Sequence, residues 1–175
     1  MREIRKAEYT DIPACMNIYY GQVEYEEIHG EITGWNKVIY PTADFVKKGI
    51  DDGEYYVLED DGVIRACAKI NSEANEHYSK INWIYKENDY KKILVIHTLG
   101  VDIGFRRSGY GKTFMEFYEK LGREKGCTVL RFDTVDTNVS AIAFYNSIGY
   151  VESGRITAPS MNGGVQTFVG LEKKL

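Results

Sequence analysis

The stretch Arg106-Arg107-Ser108-Gly109-Tyr110-Gly111-Lys112 decides how this chain is read. Before it lies an apolar, strand-like run over 93–101. After it, Phe114, Phe117, Tyr118 and Leu121 recur at helical spacing. A strand, a cation-rich glycine turn and a helix N-terminus together make a seat for an anion. Gly109 and Gly111 lack a Cβ, so the backbone can turn sharply and present its N–H groups to a ligand. The helix adds unpaired N–H donors and the positive end of its dipole. Arg106, Arg107 and Lys112 add formal charge, so a ligand carrying phosphates is implied.

Two common phosphate-binding patterns fit this stretch poorly. A P-loop ending in Gly111-Lys112-Thr113 needs a glycine where Arg106 stands, and a dinucleotide fingerprint starting at Gly109 needs one where Phe114 stands. A P-loop nucleotide-binding protein stays as an alternative that the spacing disfavours.

Size and composition narrow the class. With 175 residues, 43% of them hydrophobic, the chain can bury one core, and a single domain over 1–175 is expected. The apolar runs are too short to span a bilayer, and the first residues lack a signal peptide's apolar block, so no membrane partner is expected. Cys15, Cys67 and Cys127 are widely spaced and match no metal-ligand pattern. A reduced, cytoplasmic protein without a metal is the expectation. A net charge of −4 and a pI near 5.5 argue against nucleic acid as the partner.

Periodicity and turn signals give the order of elements. A first strand is expected over 3–7. A helix follows, capped by Thr10 or Asp11 with Pro13 in its first turn, and fades into an acidic stretch at 24–27. Thr42 caps a second helix ending near Gly53. Asp60-Asp61-Gly62 joins strands 54–59 and 63–71 as a hairpin. Residues 72–91 read as a long, aromatic-rich connection with a strand around 81–85. A strand over 92–102, a helix over 109–126, a strand over 128–134, a helix over 138–147 and strands over 150–156 and 166–171 complete the chain. The strands at 93–101 and 128–134, joined by one helix, should be parallel neighbours in a mixed sheet with helices on both faces.

Arg106-x-x-Gly109-x-Gly111 resembles the acetyl-CoA loop of the GNAT superfamily of N-acetyltransferases, whose pattern is Gln/Arg-x-x-Gly-x-Gly/Ala. The lead-in, Leu99 through Arg106, resembles the family's Leu-Ala-Val-x-Pro-x-Tyr-Arg, with Ile103 in place of the proline. Asn138-x-x-Ala141-x-x-Phe144-Tyr145-x-x-x-Gly149-Tyr150 resembles the second motif. The likeness is sharp over 93–151 and follows the family's element order elsewhere. It implies the GNAT fold, an α/β (α+β) architecture with a mostly antiparallel sheet of six to seven strands and a splayed parallel pair.

The resemblance also implies roles. The backbone of Arg106, Arg107, Ser108, Gly109, Tyr110, Gly111 and Lys112 would hold the pyrophosphate of acetyl-CoA. Val101 would pair with the pantetheine arm, Gly100 would permit a bulge or splay, and the Leu99 N–H would polarise the acetyl carbonyl. Asn138 would bond the pantetheine, with helix N-capping as its ordinary role. Tyr145 would protonate the departing thiolate. Transfer to an amine also needs a base, since a lysine amine titrates near ~10.4 and an α-amine near ~8. His97, placed on the face of Leu99 by strand alternation, is one candidate; Glu26 and Glu27 are the others. Neither Cys67 nor Cys127 has a paired base in sequence, so direct transfer to a small-molecule or peptide amine is expected. Trp35, Tyr78, Trp83 and Tyr85 could wall the acceptor pocket, and Glu24, Glu26, Glu27 and Glu31 could attract its cation. A non-catalytic acyl-CoA-binding module is the main alternative, and exposed late strands leave room for a homodimer.

Overall fold

Strand pairing organises the chain. In the computed structural model, which describes residues 1–30, 32–160 and 163–175, β1 (Arg2–Lys6), β2 (Tyr55–Asp60) and β3 (Val63–Asn71) run antiparallel side by side. Asp61 and Gly62 turn the β2–β3 hairpin with φ of 50° and 78°, the doubly left-handed geometry an Asp-Gly pair favours. β4 (Ile93–Val101), β5 (Val129–Val135), β6 (Val151–Pro159) and β7 (Val165–Lys174) complete a seven-stranded sheet in the order β1-β2-β3-β4-β5-β7-β6. β5 pairs antiparallel with β7, and β7 with β6. β4 and β5 are parallel, over Ile93–Val95 against Val129–Arg131.

Among the described residues four α-helices accompany the sheet: α1 (Ile12–His29), α2 (Ala43–Asp51), α3 (Tyr110–Glu124) and α4 (Val139–Ser147). The chain forms two compact units. The first holds residues 1–30, 35–70 and 96–118, and the second 31–34, 71–95 and 119–175.

In the first unit, Tyr55, Val57 and Cys67 pack with Cys15, Met16, Ile18 and Tyr19 of α1 and Val46 of α2. Tyr56, on the opposite face of β2, meets Phe117 of α3 at a ring separation of 5.3 Å. Strand alternation thus places helices on both sheet faces. In the second unit, a Cβ on Gly122 of α3 would lie 2.9 Å from Leu130 and 2.7 Å from Leu175, so helix and sheet pack there at backbone distance. Tyr78, Ile81, Trp83, Ile93 and Val95 form a smaller cluster.

Three expectations change. No strand forms around 81–85, because the backbone donors there are taken otherwise. Ile84 and Tyr85 N–H both donate to the buried Glu172 carboxylate, and Trp83 N–H donates to the Ile81 carbonyl at 3.0 Å. Asp11 stands at the N-cap of α1, but its side chain does not cap the helix. It accepts from Arg5 at 2.7 Å and from the Glu8 N–H at 2.8 Å, which holds the Asp11 carboxyl below the usual carboxylate range. The acidic stretch at 24–27 is a full part of α1. Thr42 behaves as read, its hydroxyl accepting from the Phe45 N–H at 3.2 Å. Glu31 lies outside the described residues.

Candidate active site

The glycine-containing stretch at 106–112 follows the end of β4. Asp102 holds that corner. Its N–H donates to the Arg65 carbonyl at 2.8 Å, and its carboxylate accepts from Arg65 Nη1 at 2.8 Å and from the Gly104 N–H at 3.1 Å. A 3₁₀ turn over Ile103–Phe105 follows, so the chain leaves the strand there without a proline. Arg107 and Gly109 are both left-handed, with φ of 64° and 86°. Such alternation turns successive N–H groups toward one side, the geometry of an anion nest. The first bond of the α3 ladder runs from Thr113 N–H to the Gly109 carbonyl at 2.9 Å. The N–H groups of Tyr110, Gly111 and Lys112 therefore precede the ladder.

The arginines take unequal parts. Arg106 lies over the Tyr25 ring at 4.7 Å and donates to the Gln22 side chain, whose amide donates to Glu26 at 2.6 Å. It braces the loop against α1. Lys112 reaches Glu116 at 3.9 Å on the exposed side of α3. Arg2 was not anticipated. It donates to the Ser108 carbonyl at 3.1 Å and covers the Tyr110 ring at 4.3 Å, while Tyr110 and Arg2 share the Asp60 carboxylate. No local pattern marks Arg2, since its partners lie on β2 and past residue 105.

β4 carries a bend at Thr98, whose φ is 52°. The Tyr19 hydroxyl donates to the Thr98 carbonyl at 3.0 Å, and Tyr19 and Tyr55 pair through their hydroxyls. A phenol has one proton, so Tyr55 is the donor to Tyr19. Thr98 C=O and Leu99 N–H share one trans peptide plane and point opposite ways. Gripping that carbonyl from α1 therefore aims the Leu99 N–H away from α1. The bend falls on Thr98 rather than Gly100. A Cβ on Gly100 would lie 2.9 Å from both Ile18 and Tyr19, so that glycine serves the approach of α1. The left-handed residue also breaks the alternation used to put His97 and Leu99 on one face. His97, Leu99 and Val101 are half-buried.

Glu26 is buried and bonded by Gln22, whereas Glu27 is exposed and faces Lys37 at 3.6 Å. Trp35 meets the Tyr19 ring edge-on at 5.1 Å.

In the second unit, Asn138 caps α4. Its carbonyl oxygen accepts from the Ala141 N–H at 3.4 Å and its amide donates to Thr134 at 3.3 Å. Tyr145 packs edge-on to Phe132 at 4.6 Å, and burial pushes its phenol up to about 12. Tyr78 and Trp83 are largely core side chains, with Trp83 Nε1 donating to the Tyr78 carbonyl at 3.0 Å. Both also line a cavity of about 360 Å³ that includes Ile93, Val95 and Arg131. The Tyr85 backbone is pinned by Glu172 and Arg131. Among the described residues no His, Cys, Asp and Glu cluster could hold a metal, and no helix is long and apolar enough to cross a membrane.

Residues 16–150 match the family model described as "Acetyltransferase (GNAT) family". No curated protein matches the chain in sequence. Solved structures share the fold. An acetyltransferase of the GNAT family from Listeria monocytogenes 4b F2365 superposes with a TM-score of 0.75 at 20% identity, covering 99% of this chain and 95% of its own. A ribosomal-protein-alanine N-acetyltransferase from Brucella melitensis gives 0.70 at 19% identity, covering 99% of each. The yncA protein of Salmonella typhimurium, solved with its cofactor acetyl-CoA, gives 0.69 at 14% identity, covering 100% and 94%.

Proposed function

The chain belongs to the acetyltransferase (GNAT) family, and from that premise we propose that residues 1–175 form one N-acetyltransferase domain. It moves an acetyl group from acetyl-CoA to a primary amine of a small molecule, peptide or protein, directly and within a ternary complex. The observation that carries this reading is the left-handed pair Arg107 and Gly109 immediately before α3.

The thioester supplies an activated acyl carbon, and the chain supplies position and protons. Backbone N–H groups over 106–112 hold the pyrophosphate, with Arg2 and Arg106 fixing the loop from β1 and α1. Val101 and Asn138 hold the pantetheine. The Leu99 N–H, aimed by Tyr19, stabilises charge developing on the acyl oxygen. Tyr145, with a pKa of about 12, stays protonated at neutral pH and donates to the departing thiolate. Cys15, Cys67 and Cys127 are all buried, which favours direct transfer over an acyl-cysteine.

Acetyl-CoA at a hundred times its Kd should stabilise the native chain by about 2.7 kcal/mol, a rise of roughly 5–10 °C in Tm. Amines of varied structure, assayed by release of free thiol, then identify the acceptor. Stabilisation without acetylation of any amine would leave a non-catalytic acyl-CoA binder. Stabilisation by ATP but not acetyl-CoA would overturn the reading.

A further inference from the structure

β5 lies inside the sheet and carries two charged residues on one face, Arg131 and Asp133. Arg131 has a structural task, bonding the Glu172 carboxylate and the carbonyls of Tyr85 and Glu87. Asp133 instead gathers side chains from the connection before β4. Its Oδ1 accepts from the Tyr78 hydroxyl at 2.7 Å and from Asn75 at 3.4 Å, and its Oδ2 meets His77 Nε2 at 2.7 Å. The His77 ring also stacks on Phe168 of β7, with centroids 4.5 Å apart.

An ionised carboxylate can only accept, so in the neutral imidazole the proton sits on Nε2 and the lone pair on Nδ1. Among the described residues no group hydrogen-bonds Nδ1. The His77 side chain keeps 14% of its surface exposed. The last β5 position in the ladder with β4 is Arg131, so Asp133 lies beyond the end of that pairing. A ring fixed by stacking, a tautomer fixed by a carboxylate and a lone pair without a partner are the parts of a positioned base.

We infer that His77, held by Asp133, accepts the proton of the substrate amine; the inference rests on the acetyl-transfer reading above. Nδ1 takes one proton from the ammonium, and the neutral amine forms the N–C bond as the C–S bond breaks. The second amine proton replaces the one that Tyr145 gives to the thiolate. The imidazolium releases its proton to solvent, so one proton leaves for each acetyl group moved. Glu26 and Glu27 are instead engaged by Gln22 and Lys37.

The test uses the intact chain, acetyl-CoA as donor, and n-butylamine, glycinamide and hydroxylamine as acceptors at pH 7.5. Butylamine is charged at that pH and needs a base, while hydroxylamine is already neutral. His77→Gln should lower kcat/KM for butylamine by about 10²–10⁴-fold and barely change it for hydroxylamine. The Kd for acetyl-CoA should not move. Asp133→Asn, which can hold the wrong tautomer, should give the same split and covers the case in which His77→Gln folds poorly. Equal losses for both amines, or none for either, would overturn the inference alone. A wild-type chain that acetylates neither these three nor any amine of the wider panel would overturn the acetyl-transfer reading, and the inference with it.

Discussion

Replacing Tyr19 by Phe removes one oxygen and tests how β4 is bent. The ring can keep its edge-on contact with Trp35, so packing is largely preserved. What goes is the hydrogen bond to the Thr98 carbonyl and the acceptor for the buried Tyr55 hydroxyl. The bond is worth about 1 kcal/mol net, and an orphaned buried hydroxyl costs about 1–3 kcal/mol. Thr98 is then free to leave its left-handed conformation, which returns about 1–2 kcal/mol. The balance is a destabilisation of about 0–3 kcal/mol, a fall of at most roughly 12 °C in Tm. Relaxation of Thr98 swings the shared peptide plane and re-aims the Leu99 N–H, so kcat should fall by about 10-fold or more. The Kd for acetyl-CoA, which the proposed contacts with the loop at 106–112 would largely set, should stay near the wild-type value. Tyr55→Phe is the control. It leaves the Tyr19–Thr98 bond intact, costs only about 1 kcal/mol and spares kcat. Thermal melts, acetyl-CoA titration and steady-state kinetics on both variants read the difference. Equal kcat in Tyr19→Phe and Tyr55→Phe would refute the reasoning.

Other residues give separate tests. Gly109→Ala forces a side chain onto a backbone with φ of 86°, so acetyl-CoA affinity should fall with a stability loss of about 1–2 kcal/mol, read by calorimetric titration and melting. Tyr145→Phe should lower kcat while the Kd for acetyl-CoA holds; equal losses in both would assign the ring to packing. Asp11 has its folded pKa depressed by Arg5, so its contribution is present above about pH 4 and fades as pH falls through the depressed value. Melts of wild type and Asp11→Asn should therefore differ at neutral pH and converge in strong acid.

The loop and the elements around it were legible because their causes are local. Gly109 allows a left-handed turn, Asp61-Gly62 closes a hairpin, Thr42 caps a helix and Pro13 starts one, each through the conformational limits of one or two residues. The spacing of Arg106, Gly109 and Gly111 before an amphipathic helix pointed to a tight glycine turn, and the chain is left-handed there at Arg107 and Gly109. The missing strand at 81–85 was not legible, because Glu172 takes its N–H groups from some ninety residues away in sequence. Two charges on one face of an interior strand, Arg131 and Asp133, were a signal that could have drawn attention to that face.

The amino-acid order alone thus determined most of the succession of elements, the glycine turn before α3 and the family pattern, since these depend on neighbours along the chain. Tertiary structure decided which side chains hold that machinery in place. Arg2 on Ser108, Gln22 on Arg106, Tyr19 on Thr98 and Asp133 on His77 join residues far apart in sequence. A hydrogen bond needs its partners within about 3 Å, and only folding creates that proximity.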